Sequence, residues 1–591
     1  MMNSSLPTWN LNDLYAGSSD ENIENDRVKL RGVVEDFSSK YRGFVGKMHA
    51  DGLHEMLVQY EEIEKLLAKI YVFSYLNYVT DMSLSSAKVL LQSASDMASE
   101  IAAKLTFLSI EIIGISDEKF ANIVASDGKI TKYLPYLRDI RKFKAHMLSE
   151  EMEGFVVQKN ASGIGAVVRL FDEFESKLRF NISGKSHTLT ESLDMLSRDD
   201  REVRKEAALE IARVFKENSW FYSIILNSVA KDKSLMDKYR NYAAPISSRN
   251  LANFIEDDVV ECLINSVQNR YSSISHRYYK IKASLLNLPR LEFYDRNAPL
   301  AIPGSERIYT FEEAKEIVIS AYKAFSPEIS QIVQMFFDNN WIDARPGEAK
   351  NSGAFCCPST SDLHPYILMN FMGKARDIAT LAHELGHGVH MYLSRKQGQL
   401  MQDTPLTLAE TASIFGEQLT FREMLNRTNS KEEKIKLLCG KIDDTINTVI
   451  RQIAFCQFEI AVHNKRKNSE LTHEEICDIW MEIQGKSLGE YVNCPEEYRY
   501  FWVYVSHFIH SPFYVYAYAF GDLLVNSLYQ AYSQGSVENF QEKYIEMLSA
   551  GGTLHHTDLL KPFNLSAKDQ NFWNMGLDII ENMINELEVL M

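Results

Sequence analysis

The residues best suited to chemistry lie in one short segment, His383-Glu384-Leu385-Gly386-His387. The apolar residues around it are typical of a helix, and at about 3.6 residues per turn two positions four apart lie one above the other, about 6 Å apart. Two imidazoles placed in this way can bind one zinc ion. Glu384 points in a neighbouring direction, where a carboxylate can accept a proton from a water held by the metal. The segment therefore predicts a metal centre with a general base beside it.

A third metal ligand is expected from the next helix, which follows Thr404-Pro405. Glu410, Ser413 and Glu417 are spaced at i, i+3 and i+7 and form one polar face on an otherwise apolar helix. An acidic face among apolar residues suggests a bound cation. We predict Glu410 as the third ligand and Glu417 as a candidate acceptor for the N–H of a ligand imidazole.

His390 competes with Glu410 for the third ligand position. It follows His383 by seven residues, which is about 10.5 Å along a helix axis and awkward for one tetrahedral ion. We therefore expect His390 to be a packed or supporting histidine. The sequence also lacks the pattern H-E-x-x-H-x-x-G-x-x-H, which disfavours a metzincin.

Composition favours a large helical protein around this centre. The chain has 591 residues, of which 45% are hydrophobic and 24% charged, an ordinary globular balance. Only 14 Pro and 27 Gly leave few obligatory helix breaks. The spacing of apolar residues from Met56 to Ile70 is that of one buried helical stripe. We predict a mainly α fold.

A small β-sheet is expected just before the metal motif. Pro and Gly residues interrupt helix formation between Trp341 and Ser361, and the segment from His364 to Phe371 is apolar and bounded by turn residues. Two interpretations of this predicted strand stay open. It is either a buried strand of the sheet, or a strand whose free edge pairs with the backbone of an extended peptide.

Charge and terminal sequence limit the partners and the location. The balance of 63 Lys+Arg against 80 Asp+Glu gives a net charge of −17, which repels nucleic acid and anionic membranes. No basic head followed by an apolar run begins the sequence, and no clean apolar stretch is long enough to span a membrane. We therefore predict a cytoplasmic protein with neither nucleic acid nor membrane as a partner.

Several motifs together resemble the oligoendopeptidase F family of zinc peptidases, which are relatives of thimet oligopeptidase. The resemblance begins with the metal motif and its following helix, Ala382 to His390 and Ala409 to Glu417. It extends, in the expected order over nearly the whole chain, to Trp9 to Leu14, Gly353 to Phe355, His364 to Phe371 and His507 to Tyr518.

The resemblance implies a large helical zincin-type body, with a small sheet beside the zinc helix and a deep substrate channel. Residues 1–200 would form an N-terminal helical lobe covering the channel, and residues 201–591 the catalytic zinc metallopeptidase domain. Such a channel admits short unstructured peptides and excludes folded proteins.

The resemblance also implies two residues that stabilise the tetrahedral intermediate. In this family a His and a Tyr of the C-terminal motif have that role, which corresponds here to His507 and Tyr514. The register leaves alternatives open: Tyr516 or Tyr518 for the tyrosine, and His510 for the histidine.

The sequence therefore predicts a zinc-dependent metalloendopeptidase that hydrolyses internal bonds of short oligopeptides, with a zinc-bound water as nucleophile and Glu384 as general base. One zinc per chain would be bound by His383, His387 and Glu410. One alternative is a helical zinc carboxypeptidase, which would need a cation near the zinc to hold the free carboxylate of its substrate. The other is a non-catalytic peptide-binding protein, against which the intact Glu384 argues.

Overall fold

A computed structural model describes residues 6–126, 128–300 and 307–591, and most of this part of the chain is helical. The prediction of a mainly α fold is thereby confirmed. The helices of the first half are α1 (Glu21–Tyr41), α2 (Ala50–Thr80), α3 (Ser85–Gly114), α4 (Asp117–Ala125), α5 (Leu134–Arg141), α6 (Glu150–Asn160), α7 (Ile164–Lys177), α8 (Leu189–Asp194), α9 (Arg201–Tyr239), α10 (Ser247–Ala252), α11 (Asp257–Asn269) and α12 (Arg277–Leu285).

The second half continues in the same way. Its helices are α13 (Phe311–Phe325), α14 (Pro327–Asp338), α15 (Ala375–Ser394), α16 (Leu406–Ala409), α17 (Thr411–Arg427), α18 (Lys431–Thr448), α19 (Ile450–Arg466), α20 (His473–Leu488), α21 (His507–His510), α22 (Tyr516–Ser533), α23 (Phe540–Ser549), α24 (His556–Leu560) and α25 (Gln570–Leu590). Among the described residues, no helix combines the length and the apolar character needed to cross a bilayer.

The strands are short and form three small sheets in the described part of the chain. They are β1 (Phe180–Ile182), β2 (Lys185–His187), β3 (Leu291–Glu292), β4 (Ile342–Asp343), β5 (Phe355–Cys357), β6 (Tyr366–Leu368) and β7 (Val492–Asn493). β1 pairs with β2 in an antiparallel hairpin, and β3 pairs with β7 in parallel. The third sheet has the order β4-β6-β5, with β4 parallel and β5 antiparallel to β6.

This third sheet is the one predicted before the metal motif. Its central strand β6 lies within the segment from His364 to Phe371, and Ile367 pairs with Ile342 on one side and Cys356 on the other. The interpretation that this strand has a free edge is wrong, because β4 and β5 cover both of its edges. The buried interpretation is confirmed, since all three residues of β6 are fully buried.

The helices and strands pack into two units, and the chain passes between them several times. The first unit comprises Met1–Lys144, Arg307–Arg427 and Gly535–Asn564, and the second comprises Ala145–Glu306, Thr428–Gln534 and Leu565–Met591. These packing units divide the chain at points other than residue 200. The division into a covering lobe over 1–200 and a catalytic domain over 201–591 stays a prediction.

In the first unit, the N-terminal helices and the three-stranded sheet share one core. The predicted stripe of α2 is buried at Met56, Leu57, Ile63 and Ile70, and this cluster of buried side chains extends to Tyr366 of β6. Apolar burial of this kind supplies most of the stability of such helices.

The N-terminal motif of the sequence is anchored to the same sheet region. Trp9 contacts Tyr366 edge-on, with 6.2 Å between the ring centroids. Asn10 donates its backbone N–H to the carbonyl of Asn340, and Asp13 Oδ2 lies 3.0 Å from His364 Nε2. Residues at the start of the chain therefore fix the sheet that lies beside the motif helix.

The motif helix α15 packs unusually closely against its neighbours. A Cβ added at Gly386 would overlap the carbonyl oxygen of Ala412 and lie 2.5 Å from Cα of Ser413. A Cβ at Gly388 would lie 2.5 Å from the ring of Phe336 on α14. Only glycine permits this approach of helix backbones.

We predict that Gly386→Ala weakens both the fold and the metal centre. Overpacking at a backbone contact costs about 1–3 kcal/mol, and it would push α15 away from α17. Urea unfolding followed by circular dichroism, with a zinc titration, measures both effects. Gly440→Ala on α18 is the matched control, because a Cβ there meets open space and alanine favours a helix by roughly 1 kcal/mol over glycine. Equal stability of the two variants would contradict the packing argument.

Candidate metal centre

Helix α15 holds the two motif histidines on one face. His383 and His387 are one turn apart, and their Nε2 atoms lie 3.1 Å from each other. Both rings are more than two-thirds buried. The predicted stacking of the two imidazoles at i and i+4 is thus observed.

Glu410 completes the donor group from the start of the next helix. The sequence predicts one helix through this residue, but the structure divides it: α16 ends at Ala409 and α17 begins at Thr411. Oε2 of Glu410 lies 3.5 Å from Nε2 of both histidines. The hydroxyl of Ser413 donates a hydrogen bond of 2.6 Å to the same oxygen, which orients the carboxylate.

This donor group fits a zinc ion. Two imidazole nitrogens and one carboxylate oxygen lie within 4.8 Å of one another. Among the described residues, these three side chains form the group of His, Cys, Asp or Glu that is close enough together to hold a metal ion. Zinc binds such atoms at about 2.0–2.2 Å, so tetrahedral ligand atoms lie roughly 3.3–3.5 Å apart. The observed separations of 3.1 and 3.5 Å agree with that geometry.

Glu417 orients the first motif histidine. Its Oε1 lies 2.6 Å from Nδ1 of His383, a hydrogen bond that fixes the ring with Nε2 directed at the other donors. Burial lowers the pKa of His383, but the hydrogen bond and charge of Glu417 outweigh burial and raise it to about 9. The predicted contact of Glu417 with a ligand imidazole is therefore present.

Glu384 lies beside the three donors without being one of them. Its side chain is buried and lies next to the backbone of Cys356 on the edge strand β5. Burial, together with the charge of Glu410, raises the pKa of Glu384 to about 7. A carboxyl with a pKa near neutrality can both take up and release a proton at pH 7.

His390 does not belong to the donor group of the described residues. It is buried and lies next to the backbone of Ala409. Burial lowers the pKa of His390 to about 4, so the ring is uncharged at neutral pH. From α15 it therefore contacts the residue that precedes Glu410, as expected of a supporting histidine.

The C-terminal motif lies in the second unit, whereas the donors above lie in the first. His507 and Tyr514 stack with 5.6 Å between ring centroids, and His507 Nε2 lies 3.2 Å from the hydroxyl of Tyr518. The two remaining alternatives are engaged elsewhere within the second unit. Tyr516 is fully buried and accepts a hydrogen bond from Asn253, and His510 pairs with Asp172 at 2.7 Å.

Sequence reasoning missed the residues that lock α15 to α17. Tyr322 of α13 donates a hydrogen bond of 2.9 Å to the carbonyl of Ala382, directly before the first ligand. The same phenol occupies the space where a Cβ at Gly416 would lie. A glycine inside an apolar helix, such as Gly416, is a sequence signal for close packing against another element. Its partner Tyr322, however, lies 94 positions earlier, and no local pattern identifies it.

Comparison with known proteins places this geometry among peptidases. The family model described as Peptidase family M3 matches residues 194–579, and that described as Oligopeptidase F matches residues 111–180. Oligopeptidase PepF of Bacillus subtilis is 25% identical over 99% of this chain and 87% of its own length.

Solved structures show the same fold. A protein from Chlamydophila abortus is 25% identical, has a TM-score of 0.87, and is matched over 99% of this chain and 98% of its own. Oligoendopeptidase-F from Enterococcus faecium, 22% identical, has a TM-score of 0.72 over 96% of this chain and 99% of its own.

We predict that Glu417→Ala weakens metal binding without unfolding the chain. Loss of the hydrogen bond to His383 frees the imidazole to rotate, and such changes typically lower metal affinity by about 10–100-fold. Competition with a zinc chelator measures the affinity. Glu423→Ala is a matched control on the same helix, because Glu423 contacts Ser320 and Arg427 and no metal donor. Equal affinities in the two variants would contradict the role given to Glu417.

Proposed function

The chain belongs to peptidase family M3 and is a metalloendopeptidase, and we propose that it uses one zinc ion to hydrolyse internal peptide bonds of short oligopeptides. The observation that carries the proposal is the convergence of His383, His387 and Glu410, with the base Glu384 beside them. The names of the relatives, an oligopeptidase and an oligoendopeptidase, support the substrate class.

The three donors would hold zinc, and each is itself held. Glu417 fixes His383 and Ser413 fixes Glu410, while His387 lies next to the backbone of Ala409. When bound, zinc supplies a Lewis acid that lowers the pKa of a coordinated water and polarises a peptide carbonyl. Because these contacts hold the donor side chains in place, a bound metal would stay at one position in the site.

Glu384 would move the proton. In our proposal its carboxylate takes a proton from the attacking water and then delivers it to the nitrogen of the leaving amine. Burial suits it to accept a proton, because removal from water raises the pKa of Glu384 above that of an ordinary carboxyl.

His507 and Tyr514 would donate hydrogen bonds to the oxygen that becomes negatively charged. Donors aimed at a developing oxyanion are a large source of rate enhancement in acyl transfer. Burial lowers the pKa of His507, so at pH 7 the ring is neutral and still carries one N–H. The stacking of the two rings supports this assignment, and Tyr518, whose hydroxyl lies 3.2 Å from Nε2 of His507, is the alternative tyrosine.

The two alternatives drawn from the sequence are disfavoured. Family membership argues against a carboxypeptidase. A purely binding protein has no use for a buried base beside the metal donors. The cytoplasmic location, the deep channel and the covering lobe remain predictions.

We predict that Glu384→Gln and His383→Ala fail in different ways. The glutamine keeps all three donors but cannot accept a proton, so the variant should bind one zinc and lose at least about 10²-fold in kcat. The alanine removes a donor and should lose both zinc and activity. Metal analysis and peptide turnover on the same preparations separate the two. An active, metal-free Glu384→Gln protein would contradict the mechanism.

The substrate class is tested by digesting end-blocked peptides of graded length together with one folded protein, and reading the products by mass spectrometry. We expect internal cuts in the short peptides alone, lost with a chelator and restored by zinc. Release of single C-terminal residues from unblocked peptides only would indicate a carboxypeptidase. Binding of one zinc without any cleavage would refute the proposed activity.

A further inference from the structure

The peptide segment before Tyr514 has an uncommon conformation. Phe513 has a φ of +62° and is fully buried. An aromatic residue rarely adopts this left-handed backbone conformation, because its Cβ crowds the following carbonyl. Such a conformation persists only where surrounding contacts impose it.

One of these contacts is a hydrogen bond from the backbone to a buried acid. Glu459 of α19, 2% exposed, accepts the backbone N–H of Phe513 on Oε1 at 2.7 Å. Arg249 Nε donates to the carbonyl of Pro512 at 3.3 Å. The carbonyl and the N–H of the peptide bond between Pro512 and Phe513 are therefore each hydrogen-bonded to an ionisable side chain.

The ring of Phe513 is held as well. It packs against the ring of His463, one helical turn after Glu459, with 4.7 Å between centroids. The Nζ atom of Lys233 lies 5.7 Å from its centroid. The next residue, Tyr514, carries the phenol that stacks on His507.

The two carboxyl oxygens of Glu459 differ in their surroundings. Oε2 is buried and has no hydrogen-bond partner among the described residues. Burying such a group is unfavourable unless it is compensated. Among the described contacts, the hydrogen bond that Glu459 makes is the one it accepts from the backbone N–H of Phe513.

We propose that Glu459 is a positioning residue for the reaction, which holds the turn at Phe513 so that Tyr514 lies beside His507. The inference rests on the proposed function, because it concerns the tyrosine assigned there to the oxyanion. Glu459 itself touches no reacting atom in this account.

The charge state of Glu459 suggests a conservative substitute. Burial raises its pKa to about 8, although the charges of Arg249 and Lys233 act in the opposite direction. His463 is uncharged at neutral pH, since burial lowers its pKa to about 3. Glu459 is therefore largely a neutral acid at pH 7, and a glutamine resembles it in shape and can accept the same N–H.

The test compares Glu459→Gln with Glu459→Met in the zinc-loaded full-length chain, using one end-blocked peptide. The glutamine should keep kcat within about threefold. The methionine leaves the N–H of Phe513 unpaired, and should lower kcat by about 10–100-fold with KM nearly unchanged and one zinc retained. Gln457→Met on the same helix is the matched control, because it loses a hydrogen bond to Tyr271 and touches no part of the turn.

A double-mutant cycle with Tyr514→Phe distinguishes positioning from general destabilisation. If Glu459 acts through Tyr514, Glu459→Met should cost less than about threefold in kcat once the phenol is gone. Should the methionine variant not fold, Glu459→Asp replaces it, because the shorter side chain withdraws the acceptor while keeping the carboxyl.

Each outcome of the cycle decides the proposal. A loss of kcat confined to the background with Tyr514 supports it. If Tyr514→Phe lowers kcat but the Glu459 variant costs the same in both backgrounds, or if the glutamine is as inactive as the methionine, only the positioning role is overturned. If Tyr514→Phe leaves kcat unchanged, the oxyanion role of Tyr514 fails and the positioning role fails with it.

Discussion

The close approach of helices α15 and α17 is the constraint on which the metal centre depends. Gly386 allows the backbones to touch, and the phenol of Tyr322 fills the gap above Gly416 while holding the carbonyl of Ala382. Only at this separation does the carboxylate of Glu410 reach 3.5 Å from both imidazoles. This packing therefore holds the three donor side chains in one arrangement.

Three carboxylates surround two histidines here, and their surroundings give them different tasks. Glu417 bonds to the outer nitrogen of His383, and Glu410 faces both inner nitrogens. Glu384 is buried near these charges, which raises its pKa to about 7. A bound cation would stabilise these carboxylates further, since like charges repel more strongly where water is scarce.

Much of this site could be predicted because it depends on local geometry. The four-residue spacing of the histidines places them on one helix face wherever the helix lies, and the same periodicity identified Glu410. Contacts between distant segments escaped the same reasoning. The edges of β6 are covered by strands that no local pattern pairs with it. The hydrogen bond that holds Tyr516 inside the protein comes from Asn253, which lies 263 residues earlier.

X-ray absorption at the zinc edge of the full-length chain tests the central claim most directly, because it reports which atoms surround the metal. The account predicts one zinc per chain with two imidazole nitrogens and carboxylate or water oxygens at about 2.0–2.2 Å, and the same spectrum in Glu384→Gln. A third imidazole, from His390, or a sulfur at about 2.3 Å, from Cys356, would contradict the assignment of Glu410 as the third ligand.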